Sequence, residues 1–187
     1  MIKKYIARSA LFSLCAIVMI GLVCSTDSYA LVSARDIDEG IEVALKTVRE
    51  KNSGKEILNK AKGILVFPGV FKAGIGIGGE YGEGGLRVRN KTVAYYSIAA
   101  ASIGFQLGGQ KKSIVMAFMT DDALKQFRDS DGWRAGVDAS VAVITIGAGT
   151  EPSTATINQP VVAFVFGQKG LMYDLSLKGT KVSKIKR

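Results

Sequence analysis

Between Lys72 and Gly85 the chain reads KAGIGIGGEYGEGG, and half of these residues are glycine. No other stretch constrains the fold as much. It contains Gly74-x-Gly76-x-x-Gly79, the spacing of a dinucleotide loop, but that loop needs a helix opening at the glycines within a βαβ unit. Gly79, Gly82, Gly84 and Gly85 follow within seven residues, and each glycine inside a helix costs roughly 0.8–1 kcal/mol relative to alanine. No helix starts there, so a nucleotide site is excluded. GFQLGGQ (Gly104 to Gln110) has P-loop spacing but places Gln110 where the lysine is required.

As a strand the stretch is orderly, because side chains alternate between two faces. One face carries Phe71, Ala73, Ile75, Ile77, Gly79 and Tyr81, which predicts a core-facing surface. The other carries Lys72, Gly74, Gly76, Gly78, Glu80, Gly82 and Gly84, almost bare backbone. Each strand glycine costs roughly 0.5–1 kcal/mol relative to alanine, so a bare face implies a close approach by something. From Ala94 a second strand is also small or polar on one face between Ala100 and Gly108. Two occupants are open for this patch. It takes another part of the chain, or it is a shallow groove at Gly74, Gly76 and Gly78 for an extended apolar ligand such as an acyl chain.

Helices come first and strands follow. SARDIDEGIEVALKTVREKN (Ser33 to Asn52) repeats Ile37, Ile41, Ala44, Leu45 and Val48 at helical spacing behind a Ser33/Asp36 capping box. A second helix is expected from Ser53 to Gly63, capped by Ser53 and Glu56. ILVFP is expected to be a strand ended by Pro68, and LRVRNKTVAYYSI two strands around a turn at Asn90-Lys91. SIVMAFM is a strand, Thr120 to Asp129 a capped helix, and Val137 to Gly149 a long strand. Val161 to Leu177 is expected to be a hairpin turning at Gln168-Lys169, and the tail from Lys178 to Arg187 a loose basic segment. The pattern is α+β: a curved, antiparallel, barrel-like sheet with N-terminal helices and one short helix inserted between strands.

The first thirty residues read as a secretory signal peptide. Lys3, Lys4 and Arg8 precede the apolar run Ser9 to Cys24, and Ser28 to Ala30 offers small residues for cleavage. The run is shorter than the roughly 20 residues of a membrane span. Lipid anchoring at Cys24 fits less well, because Val23 stands where a small residue is needed. Cleavage after Ala30 leaves a single domain, 31–187, and removes three basic residues and Asp27, so the net charge falls from +9 to +7. Both cysteines leave with the signal, and the chain has no histidine. The usual zinc ligands, general base and activated thiol are then all missing, which argues against an enzyme. Glu80 and Glu83 fall on opposite strand faces and make no dyad, while Asp121 and Asp122 read as first-turn helix acids. No catalytic residue, metal or cofactor is expected, and an exported chain without a nucleic-acid motif is not expected to bind nucleic acid.

Three segments carry a family signature: AKGILVFPGVFKAGIGIGGEYGEGGLRVR (Ala61 to Arg89), YYSIAAASIGFQLGGQKKSIVMAFMT (Tyr95 to Thr120) and GWRAGVDASVAV (Gly132 to Val143). Together they resemble the SYLF domain, a lipid-binding family, from about Ser53 through Val143 and on toward Leu177. The resemblance implies a phospholipid-binding protein of a bacterial envelope. Eukaryotic members bind phosphoinositide membranes, some also actin, and the family implies no catalytic residues. The expected function is therefore binding of anionic membrane lipids, with the protein in the periplasm or peripheral to an envelope membrane. The alternative is a structural or protein-interaction envelope protein without a specific lipid. Candidate contacts are the basic residues Lys72, Arg87, Arg89, Lys111, Lys112 and Arg134, and the tail cations Lys181, Lys184, Lys186 and Arg187. Trp133, Tyr81, Tyr95 and Tyr96 are the candidate interfacial aromatics. If the strand from Thr92 to Gly109 is continuous, the two basic turns, at Arg87–Lys91 and Lys111–Lys112, are expected at opposite ends of the sheet.

Overall fold

The computed structural model describes residues 33–147, 158–170, 177 and 179–187, with backbone alone at 75–77, 102–108 and 170. The expected signal peptide, the loop at 150–157, the second arm of the expected hairpin at 171–176 and Lys178 lie outside the described residues.

Helix α1 (Ala34–Arg49) starts at the expected capping box, with Asp36 N–H donating to the Ser33 hydroxyl and Ser33 N–H to the Asp36 carboxylate. Its apolar stripe, Ile37, Ile41, Ala44, Leu45 and Val48, is buried throughout. Helix α2 (Asn52–Lys60) begins one residue before Ser53, with Lys51 at the cap and no side-chain cap bond. The expected Ser53/Glu56 box does not form, and Glu56 instead accepts from Lys60 at 2.6 Å. The two helices meet closely: a Cβ on Gly54 would lie 2.2 Å from the Val48 carbonyl oxygen.

Strands β1 (Gly63–Val88) and β2 (Lys91–Phe118) form one long antiparallel ribbon. The turn between them falls at Arg89-Asn90, one residue earlier than expected. Val88 pairs with Lys91, and both turn residues have positive φ, 50° and 62°. That is the two-residue loop whose twist suits a hairpin, and asparagine tolerates it well. Pro68 does not end β1. It sits at a bulge between Phe67 and Val70, where its missing N–H breaks no ladder bond.

The six-stranded sheet runs β3-β6-β2-β5-β4, with β1 on β2. Helix α3 (Asp121–Asp129) interrupts it and is capped by Thr120 as expected. Strands β3 (Trp133–Arg134), β4 (Val141–Thr145), β5 (Val161–Gly170) and β6 (Lys181–Ile185) follow. β4 pairs with β5 in parallel and every other strand pair is antiparallel. The α+β class with a curved, mostly antiparallel sheet is as expected.

Three expected elements differ. The long strand expected from Val137 to Gly149 shrinks, among the described residues, to β4, Val141–Thr145. Gln168 and Lys169 make no turn, since β5 continues through them along β2, with Lys169 opposite Lys111. The tail is not loose, because β6 inserts between β2 and β3 and buries Val182. Leaving β6 out would strand the ladder groups of both neighbours, which is reason enough for it to be ordered.

Two cores flank the sheet. Inside its curl lie Leu65, Phe67, Leu86, Ile98, Met116, Phe118, Phe127 and Trp133, among others. On the opposite face α1 and α2 cover Val66, Val115, Ala117, Val162 and Phe164. This explains the unbroken apolar runs SIVMAF and VVAFVF, which are strands buried on both faces. The ribbon bends so sharply that β1 returns onto itself. A Cβ on Gly82 would meet the Gly69 carbonyl oxygen at 2.8 Å, and one on Gly84 the Val66 oxygen at 1.9 Å. The occupant of this end of the bare face is therefore the strand's own beginning.

Candidate functional site

The bend inverts the two faces expected for β1. Lys72 and Glu80 are buried, 4% and 7% exposed, together with Gln110 and Lys112 of β2. Lys112 reaches Glu80 at 3.0 Å inside the ribbon, and Gln110 has both amide atoms buried with no partner. The face expected to seek a core instead points outward: Phe71 is 58% exposed and Tyr81 51%. Lys112 and Glu80 can go inside because each pairs with the other, and the adjacent glycines leave room for them.

The outward face can be followed across the ribbon by its register. Phe71 pairs with Lys111, Ala73 with Gly109, Gly79 with Ala101 and Tyr81 with Ala99. All eight residues are exposed, and Lys111 is the single charged one. Between them the register pairs Ile75 with Leu107 and Ile77 with Ile103, whose side chains lie outside the described residues. Helix α1 covers the sheet only up to this region, where its Gly40 rests on Pro68. Beyond the helix start an apolar groove of about 220 Å³ opens between Ile37, Pro68, Phe71 and Tyr81, with Asp36 and Glu83 at its edge.

Charges are fixed around this groove. Lys111 Nζ lies 5.1 Å from the centre of the Phe71 ring. Arg187 Nε donates to Glu83 Oε2 at 2.9 Å, and the Tyr81 hydroxyl donates to Glu83 Oε1 at 2.7 Å. Burial pushes the Glu83 carboxyl up, but the hydrogen bonds from Arg187 and Tyr81 and the guanidinium charge outweigh it and hold the group below its ordinary value. Burial and the Glu83 hydrogen bond both raise the Tyr81 hydroxyl.

The remaining expected contacts scatter. Trp133 is 1% exposed and packs edge-on against Phe127 at 5.6 Å, so it is a core residue and not an interfacial one. Tyr96 is buried against Phe127, and Tyr95 donates to Asp38. Lys72 and Lys112 are buried, and neither presents a surface charge. Arg87 pairs with Glu42 at 2.7 Å, and Arg187 with Glu83. Arg89, Lys111, Arg134, Lys181, Lys184 and Lys186 are exposed. Gly74 and Gly78 are half-buried on the inner face, and the surroundings of Gly76 lie outside the described residues. Only one of the two expected basic turns is a turn, because Lys111 and Lys112 lie within β2, but the two basic groups do not converge. Arg87 and Arg89 sit at the turn of the ribbon, and Lys111 beside its outward apolar face. Sequence reasoning missed Phe71, Pro68 and Ile37 as groove residues. The available signal was that Phe71 and Tyr81 share a strand face.

The described residues contain no group of three or more metal-ligating side chains, and no described helix is long and apolar enough to cross a membrane. A curled sheet with an exposed apolar flank offers a contact surface. Residues 99–187 match the family model Ysc84, described as Las17-binding protein actin regulator. The match begins within β2 and runs to the end of β6. A curated relative, SH3 domain-containing YSC84-like protein 1 of Pongo abelii, is 27% identical over 158 residues, covering 82% of this chain and 46% of its own length. The chain thus spans about half the length of the curated relative it matches. These findings agree with the resemblance carried by Ala61 to Val143 and support the SYLF family.

Proposed function

We propose that the chain is a non-enzymatic lipid-binding module of a bacterial envelope, exported by its first thirty residues and docking on anionic phospholipid. The observation that carries this reading is the outward face of the ribbon, with eight exposed positions in four cross-strand residue pairs and one charge among them. A sheet face turned to water is ordinarily polar, and an exposed apolar face marks a protein or membrane contact. The lysine at its margin, stacked over Phe71, suits the boundary between acyl chains and headgroups, where the ammonium meets phosphate and the ring meets hydrocarbon. A net charge of +7 on 31–187 favours an anionic surface. Similarity to a family of binding domains supports the same class.

Co-sedimentation tests this reading. The chain from Val32 onward, a compact unit of its own, is mixed with phosphatidylglycerol vesicles and with phosphatidylcholine vesicles at low and high salt. Binding to the anionic vesicles that weakens with salt is the expected result. No binding to them at low salt would sink the proposal and favour a structural or protein-interaction role.

A further inference from the structure

At the turn of the ribbon, away from the apolar face, a second cavity of about 260 Å³ is enclosed by the end of α1, the end of α2 and the β1–β2 turn. Its lining includes Arg49, Lys62, Arg87 and Arg89, with Asn59 and Asn90 between them. We infer that this cavity is a site for a phosphate group, borne by a lipid headgroup or by a soluble phosphoester.

The cation count exceeds what the protein itself neutralises. Glu42 takes Arg87 at 2.7 Å, and Asp121 stands 3.7 Å from Lys62. Among the described residues Arg49 and Arg89 make no ion pair. The C-termini of α1 and α2 add roughly half a negative charge each, which leaves the cavity positive. Arg87 is held with its fork partly used, one nitrogen on Glu42 and another donating to the Asn90 carbonyl at 2.6 Å, while its Nε is buried with no partner. A buried guanidinium N–H without an acceptor is costly, and an oxyanion would satisfy it.

The volume is below the roughly 300–1,000 Å³ of pockets for drug-sized ligands, and planar guanidinium forks match the oxygens of a tetrahedral phosphate. The site lies apart from the apolar face and does not depend on the lipid-binding proposal.

Titration calorimetry of the full chain with inorganic phosphate, then with glycerol 3-phosphate, tests the inference in wild type, R49Q/R89Q and R49K/R89K. Arg49 and Arg89 are exposed, and circular dichroism checks that the variants fold. Saturable binding is expected in wild type, weakened at least about ten-fold in R49Q/R89Q and restored only in part by the lysines, which lack the fork. Phosphatidylglycerol vesicle binding by the same proteins separates the sources. Vesicle binding that falls in step with phosphate binding assigns a lipid headgroup. Vesicle binding that persists while phosphate binding falls assigns a soluble phosphoester. No saturable binding in wild type, or equal affinity in R49Q/R89Q, overturns the site.

Discussion

Lys112 and Glu80 form an ion pair at 3.0 Å whose side chains are 1% and 6% exposed. They face each other inside the bent ribbon, on the surface expected to be bare. Taking two charges out of water is expensive, and only a close partner makes it tolerable. The pair bridges the bend of the ribbon, because Glu80 is registered with Ala100 and Lys112 with Val70.

Breaking this pair should be severe. Lys112→Met leaves Glu80 buried without that ammonium and should cost about 3–5 kcal/mol, the range for one-sided loss of a buried pair. Urea unfolding of wild type, Lys112→Met, Glu80→Met and the double variant measures it. The double variant should cost less than the sum of the singles. Strict additivity would show that the two groups do not interact in solution.

The glycines should divide sharply by position. At Gly84 an added Cβ lies 1.9 Å from a carbonyl oxygen of the same strand, and at Gly82 2.8 Å, whereas at Gly79 nothing lies within 4 Å. Gly84→Ala should destabilise by at least about 2 kcal/mol, as overpacking against backbone does. Gly79→Ala should be neutral or stabilise by up to about 1 kcal/mol. Thermal melts of the two variants decide it, and similar melting points would mean that β1 does not fold back on itself.

The outward aromatics should govern membrane affinity. Burying a Phe-sized side chain contributes about 1.5–3 kcal/mol, so Phe71→Ser and Tyr81→Ser should each weaken anionic vesicle binding by about ten-fold or more. Their stability should change little, because both rings are more than half exposed. Trp133→Phe, a change in the core, should show the opposite profile, with lower stability and unchanged vesicle affinity per folded molecule. Co-sedimentation and melting curves on the three variants check this.

The link between Glu83 and Arg187 should show in the pH dependence of stability. The Glu83 carboxyl in the folded chain titrates below its ordinary 4.5, so the folded state favours the ionised form. Its contribution is fully present above pH 4.5 and is lost as pH falls through the lowered folded value. Glu83→Gln should therefore be less stable than wild type at neutral pH, and the gap should close in acid. A gap that stays constant from pH 7 down to pH 3 would falsify the assignment. Arg187→Gln should narrow the same gap and free the end of β6, seen as faster amide exchange from Lys184 onward.

Much of this fold was legible because the relevant physics is local. The capping box at Ser33, the stripe from Ile37 to Val48, the cap at Thr120 and the long β-periodic runs depend on residues a few positions apart. The two basic groups were correctly separated by the length of strand between them, although Lys111–Lys112 lies within β2 and makes no turn. Errors arose where distant parts meet. Ser53 lost its cap because α2 starts early, close against Val48. Pro68 stayed in its strand because a bulge took it. Gln168-Lys169 made no turn because β2 offered a partner, and the tail became β6 because two strands flanked its place.

The sequence by itself determined that Lys72 to Gly85 is a strand with two unlike faces, that no nucleotide loop is formed there, and that the class is α+β. It could not determine which face turns inward. Alternation is symmetrical, and an apolar face ordinarily wins the interior. Only the tertiary structure decided, because the bend sets Gly82 and Gly84 against the strand's own backbone and brings Lys112 to Glu80. With that pair formed inside, Phe71 and Tyr81 are left to the outside.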